Sequence, residues 1–87
     1  TDIWLHTKDI TGSHVIIRAE GKEVPDTTIL YAARLAAAHS SAKSSAQVPV
    51  DYVPAKFVKK PAGAKPGMVI FTNNRTLYVK PLEAEEM

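Results

Sequence analysis

Hydrophobic residues recur along this chain with two different periods. From Ile3 to Lys8 they alternate weakly with polar ones and include Trp4 and Leu5, which predicts a strand. Asp9 to Ser13, with Gly12, has turn chemistry, because Gly tolerates positive φ while Asp and Ser bond back to nearby backbone. His14 to Glu20 predicts a second strand centred on Val15, Ile16 and Ile17, β-branched residues that suit a pleated backbone. The short spacing makes these two strands a hairpin, and Glu20-Gly21-Lys22 ends it. The period then changes. Ile29, Ala33, Ala36 and Ala37 recur at helical spacing with Leu30 beside them. Pro25 suits the first helical turn, and Asp26 places negative charge near the start. The alanines make the apolar face flat, so such a helix can lie close on a sheet. His39 and Lys43 sit near the expected helix end, and Ser40 to Ser45 reads as a fraying end plus loop.

The second half returns to strand patterning. Val48 to Val53 and Phe57 to Lys59 predict short strands, separated or bent near Pro54, and residues 61–67 form a Pro/Gly loop. Met68 to Thr72 and Thr76 to Lys80 predict a hairpin turning at Asn73-Asn74. In that register Met68, Ile70, Leu77 and Val79 share one face, and Val69, Phe71 and Tyr78 the other. Both faces are apolar, so one covers the helix and the other meets more protein. The pattern β-β-α-β-β-β is that of an α+β domain: a mostly antiparallel sheet with one Ala-rich helix packed on one face. Residues 1–82 make the domain, and 83–87 an acidic, flexible tail. No internal repeat is present.

Size and composition narrow the function classes. With 87 residues, 45% of them hydrophobic and 23% charged, the chain is an ordinary globular domain. A fold of this length buries only roughly 60% of its unfolded surface, enough for one core and one site. No apolar run approaches the ~20 residues of a membrane-spanning helix, and no signal-peptide pattern opens the chain. The absence of cysteine excludes disulfide frameworks, thiolate metal sites and a cysteine nucleophile. The chain lacks an initiator Met and begins close to a strand, which predicts a domain of a longer protein.

Enzyme chemistry finds little support. Ser13 and His14 are adjacent with Asp9 nearby, but neighbours in a strand point to opposite faces, and no G-x-S-x-G elbow accompanies them. His6, His14 and His39 lack the spacing of a metal site, and no cofactor is called for. Gly63-Ala-Lys65-Pro-Gly67 precedes a strand and lacks the P-loop pattern. Asn74-Arg75-Thr76 matches a glycosylation acceptor, which matters only in a secretory pathway.

Charge is the feature that remains. The net charge is +2, but residues 43–80 carry seven basic side chains and one acid, Asp51, a local balance of +6. Lys56, Lys59, Lys60, Lys65, Arg75 and Lys80 crowd into twenty-five positions. Several ammonium and guanidinium groups on one surface suffice to bind phosphates, and an exposed Phe57, Tyr52 or Tyr78 would add base stacking. Lysines also solubilise small β-rich domains and guard sheet edges. Taken alone, the residues leave open a nucleic-acid-binding module, a protein-binding module and simple solvation.

Three motifs carry a resemblance beyond this. Asp2-Ile-Trp-Leu-His6, Gly12-Ser-His-Val-Ile-Ile-Arg18 and Lys59-Lys-Pro-Ala-Gly-Ala-Lys-Pro-Gly-Met-Val69 closely resemble the NFACT-R domain, the C-terminal domain of the NFACT family. The resemblance runs in order through nearly the whole chain. It implies a non-enzymatic RNA-binding module of a cytoplasmic, ribosome-associated quality-control factor. Such factors, RqcH-type proteins in bacteria and NEMF and Caliban in eukaryotes, bind the large ribosomal subunit and tRNA. They extend stalled nascent chains with a C-terminal tail. The family residues that select tRNA lie in an N-terminal lobe outside this sequence, so no tailing activity is expected of it. Members from streptococci are also described as surface proteins that bind fibronectin and fibrinogen, which makes an adhesin domain the rival reading. A third is packing against the rest of the parent chain.

The motif match, together with the basic cluster, implies RNA or phosphate contacts at Lys8, His14, Arg18, Lys56, Lys59, Lys60, Lys65 and Arg75. Trp4, His6, Gly12, Ser13, Gly63 and Gly67 are implied as structural or motif positions, with His6 shared between a hydrogen bond in the sheet and RNA contact. Position 11 is Thr where many members have Pro, which leaves that turn less rigid.

Overall fold

The computed structural model describes residues 2–8, 14–59, 63 and 70–86. Strand β1 (Ile3–Thr7) pairs antiparallel with β2 (Val15–Ile17), with Trp4 opposite Ile16, so the expected first hairpin is present. Asp2 accepts a bond on its carboxylate from the Ala19 N–H at 3.0 Å, tying the start of β1 to the end of β2. The chain leaves through a tight turn closed by the Lys22 N–H on the Ala19 carbonyl at 2.9 Å. Both central residues have positive φ, Glu20 at 52° and Gly21 at 79°. A side chain at Gly21 would strain that turn whatever the space around it.

Helix α1 (Asp26–Ala38) follows. Pro25 sits one position earlier than expected, at the N-cap in extended conformation, and its carbonyl accepts the first helical bonds from Thr28 and Ile29. The helix stops at Ala38. Ser40 closes the end by donating its hydroxyl to the Ala37 carbonyl at 2.7 Å and accepting the Ala42 N–H at 3.1 Å. Ala32, Ala33, Ala36 and Ala37 are buried, with Ile29 half-buried at the margin. Leu30, expected on the apolar face, is instead 47% exposed, because its position on the helix turns it past the edge of the contact.

Strand β3 (Val48–Pro54) pairs with β1 on one side and with β6 (Arg75–Val79) on the other, all antiparallel. The sheet order is β2-β1-β3-β6, four strands with α1 on one face, the α+β layer expected. Leu5, Val48, Val50 and Val79 meet the alanines of α1 in one core, flanked by Ile3, Val15, Ile17, Tyr52 and Leu77.

One expected pairing is overturned. β5 (Ile70–Phe71) does not form a hairpin with β6; it pairs with β4 (Val58–Lys59) in a separate two-stranded ladder. β6 pairs with β3 through one edge and stands at the border of the sheet, while β5 is taken up by β4, with Val58 opposite Phe71. Asn73, at φ 59°, marks where the chain passes from one sheet to the other. The faces of β6 are nevertheless as read: Leu77 and Val79 face the helix, and Tyr78 the other side. The bend near Pro54 is a single 3-10 turn, Ala55–Phe57.

The C-terminal residues lie against the helix. Leu82 is buried and donates its N–H to the Arg34 carbonyl at 3.2 Å. Arg34 in turn donates to the Lys80 carbonyl at 2.9 Å and forks onto the Glu86 carboxylate at 3.0 and 2.9 Å. The Glu83 N–H and then Arg34 hold the Glu86 carboxyl below its ordinary range.

The close helix–sheet contact sets a test. Ala36→Leu would force a larger side chain into a fully buried site and is expected to cost about 1–3 kcal/mol in urea unfolding. Leu30→Ala, outside the contact, is expected to change stability by less than about 0.5 kcal/mol.

Candidate nucleic-acid interface

In a sheet, side chains alternate between faces, and residues directly opposite one another share a face. The helix occupies one face. Alternate residues of β1 therefore deliver Trp4 and His6 to the other, with Lys8 just past the strand end, and the registers of β3 and β6 complete three rows there. Ile16, Trp4 and Val53 make the first. His6, Asp51 and Thr76 make the second, with His14 at its edge. In the third, the Lys8 N–H bonds the Pro49 carbonyl at 2.9 Å, and Pro49 lies opposite Tyr78.

The first two rows are held by specific contacts. Trp4 is only 5% exposed, and its ring lies parallel to the His6 ring, with centroids 5.7 Å apart. His14 is tilted against both, 6.0 Å from Trp4 and 6.3 Å from His6. His6 and His14 lack metal-site spacing, yet the hairpin register, with Leu5 opposite Val15, brings them side by side. His39 is elsewhere, at the end of α1. Among the described residues no group of His, Asp or Glu is arranged to hold a metal ion.

Asp51, the single acid of the basic segment, is 4% exposed. One of its oxygens accepts bonds from the Thr76 hydroxyl at 2.6 Å and from the Asn74 side-chain amide at 3.1 Å. Its charge is thus turned inward, onto donors from the neighbouring strand, rather than presented to solvent. The Asn-Arg-Thr run has the same explanation, since two of its three residues serve Asp51. Charge reading missed this cluster; strand alternation between Asp51 and Thr76 was the available signal.

The expected contact residues fall into groups. Lys8 and His14 are exposed at one end of the open face, and Arg18 is exposed just beyond β2 towards the other end. Lys56 and Lys59 are exposed on the segment that leaves β3, with the Lys56 ammonium 5.3 Å from the centre of the Phe57 ring. Phe57 itself is half-buried. Arg75 is not brought together with these. It lies opposite Tyr52 on the helix side, lining with Asp26, Ile29 and Leu77 a shallow groove of about 400 Å³. Gly63 is exposed, in a turn with φ 74°. Lys60, Lys65, Gly12, Ser13 and Gly67 lie outside the described residues.

Known proteins identify the family. Residues 1–73 match the family model of the NFACT protein RNA binding domain. The chain belongs to that family. Relatives of this NFACT-R domain include the Rqc2 homolog RqcH of Bacillus subtilis, 55% identical over 80 residues, covering 92% of this chain and 14% of the relative. The Rqc2 homolog RqcH of Streptococcus suis is 44% identical over 82 residues, covering 94% of this chain and 15% of the relative. The chain therefore spans about one-seventh of the length of these relatives. Among solved structures, the C-terminal part of the fibronectin/fibrinogen-binding protein from Streptococcus suis superposes with a TM-score of 0.88 at 42% identity. That match covers 98% of this chain and 34% of the other.

The Asp51 cluster provides the test of the open face's framework. Asp51→Ala is expected to cost about 1–3 kcal/mol in urea unfolding, because two donors lose their acceptor. Asp51→Asn, which keeps an acceptor oxygen, is expected to cost less. Equal losses would show that the charge, and not the hydrogen bonds, matters there.

Proposed function

We propose that this NFACT-R domain is a non-catalytic module through which a longer parent protein contacts tRNA and the RNA of the large ribosomal subunit. The observation that carries the reading is the sheet face left uncovered by α1. It is bordered by Lys8 and His14 at one end and Arg18 at the other, while Asp51, the one acid of residues 43–80, is turned inward. Lys56 and Lys59 extend the basic border along the segment after β3, and Lys60 and Lys65 follow in sequence. Long flexible ammonium groups suit phosphates, which fix affinity and register rather than sequence choice. Arg75, on the helix side, has no part in this face. The parent's other lobes supply the selection of tRNA, and the module positions them.

A second reading rests on the solved relative described as fibronectin/fibrinogen-binding. It makes the same domain an adhesin that takes a matrix protein. The two readings differ in physics. Phosphate contacts release counterions, so affinity falls steeply with salt; binding of an extended polypeptide through apolar contacts does not.

Titrating the purified domain into labelled tRNA and labelled fibronectin at several salt concentrations separates them. The expected result is tRNA affinity falling with a log–log slope of about −2 to −4. Combined Lys59→Ala, Lys60→Ala and Lys65→Ala should abolish that binding. Salt-insensitive fibronectin binding without tRNA binding would contradict the RNA reading.

A further inference from the structure

Large aromatic side chains on a folded surface are normally covered. Among the three tyrosines, Tyr52 is half-buried on the helix side and Tyr31 is exposed on the outer part of α1, where no lysine accompanies it in the open-face rows. Tyr78 is different. It is 67% exposed, the fourth of the five residues of β6, on the face opposite the helix. β6 is the edge strand of its sheet, with charge at Arg75 and Lys80 on its two ends, and between them it presents an exposed phenol ring.

The surroundings of the ring suit one kind of ligand. Across the row lie Pro49 and Lys8; with strands about 4.8 Å apart, the Lys8 backbone is roughly 10 Å from that of Tyr78. Lys80 stands two residues further along the chain, its ammonium 3.2 Å from Glu83 in a solvent-exposed pair that a phosphate can replace at little cost. An exposed ring on a sheet, with Lys8 two strands away and Lys80 following in the chain, suits a nucleotide: the base on the ring and the flanking phosphates within reach of long ammonium side chains. A duplex cannot use such a site, since its bases are already stacked on one another.

We infer that Tyr78, flanked by Lys8 and Lys80, is a stacking site for an unpaired base, so that the domain takes single-stranded RNA in preference to duplex. This inference rests on the RNA-binding reading above. The rows then have separate tasks. The Trp4–His6 stack and the Asp51 cluster keep the sheet rigid beneath, while the Tyr78 row meets the ligand.

The test is fluorescence anisotropy with a labelled unstructured pyrimidine 10-mer and a labelled blunt RNA duplex of equal charge. Wild type is expected to bind the single strand more tightly. Tyr78→Ala is expected to lose about 5- to 100-fold on the single strand and less than about twofold on the duplex. Tyr78→Phe, which keeps the ring, should retain wild-type affinity, and the salt slope should be unchanged, because no charge is removed. Thermal melts of the variants verify folding. Unaltered single-strand affinity in Tyr78→Ala, with salt-dependent RNA binding intact, would overturn the stacking site and leave the RNA-binding reading standing. Equal losses in the Ala and Phe variants would overturn it too, by assigning the effect to the hydroxyl. Failure of wild type to bind either RNA would overturn both readings together.

Discussion

The contact between an alanine-faced helix and one side of a four-stranded sheet is what the rest of this domain depends on. With only methyl groups at Ala32, Ala33, Ala36 and Ala37, the helix settles close to the strands, and the larger volume of the core comes from Leu5, Val48, Val50 and Val79. Each of those side chains contributes about 1.5–3 kcal/mol by leaving water, which for a domain of this size is a large share of its net stability. A single helix can cover a single face. Sheet pleating then dictates that every second residue of β1, β3 and β6 stands on the opposite side, whatever its chemistry.

That second face is built from different material. α1 does not cover it; its first row holds the buried Trp4 and Val53, and its middle row is polar: His14, His6, Asp51 and Thr76. Stacked rings and a buried carboxylate with two donors give it rigidity that hydrophobic burial supplies on the helix side. The basic residues stand mainly at its borders. Division of labour between the two faces follows from the period of two, and it links the packing of the core to the position of the cations.

Much of this is legible in the chain itself. The β-branched run Val15-Ile16-Ile17, the alanine periodicity and the alternation of Leu77, Tyr78 and Val79 each point to the element and the face that the structure shows. The partner of β6 was not legible. A turn at Asn73-Asn74 is compatible with the pattern, but periodicity says nothing of which strand lies beside which, and β5 pairs with β4 while β6 pairs with β3. Leu30 was misplaced for a related reason: helical periodicity defines an apolar stripe, but the width of the sheet determines how much of it is covered. Charge counting found the basic segment but could not see that Arg75 lies on the other face from Lys8 and Arg18, or that Asp51 is withdrawn from the surface. Both facts depend on strand register.

The central claim is that the open face of the sheet, and not the helix side, meets RNA. The most direct measurement is a two-dimensional nitrogen–proton NMR titration of the domain with a short unlabelled RNA, mapped onto the strands. The account predicts that the largest shift changes fall on Lys8, His14, Thr76, Tyr78 and Lys80, while Ile29, Leu30, Tyr31 and the other outward positions of α1 stay in place. Changes concentrated on α1 and the groove beside Arg75, with the Tyr78 row unmoved, would contradict it.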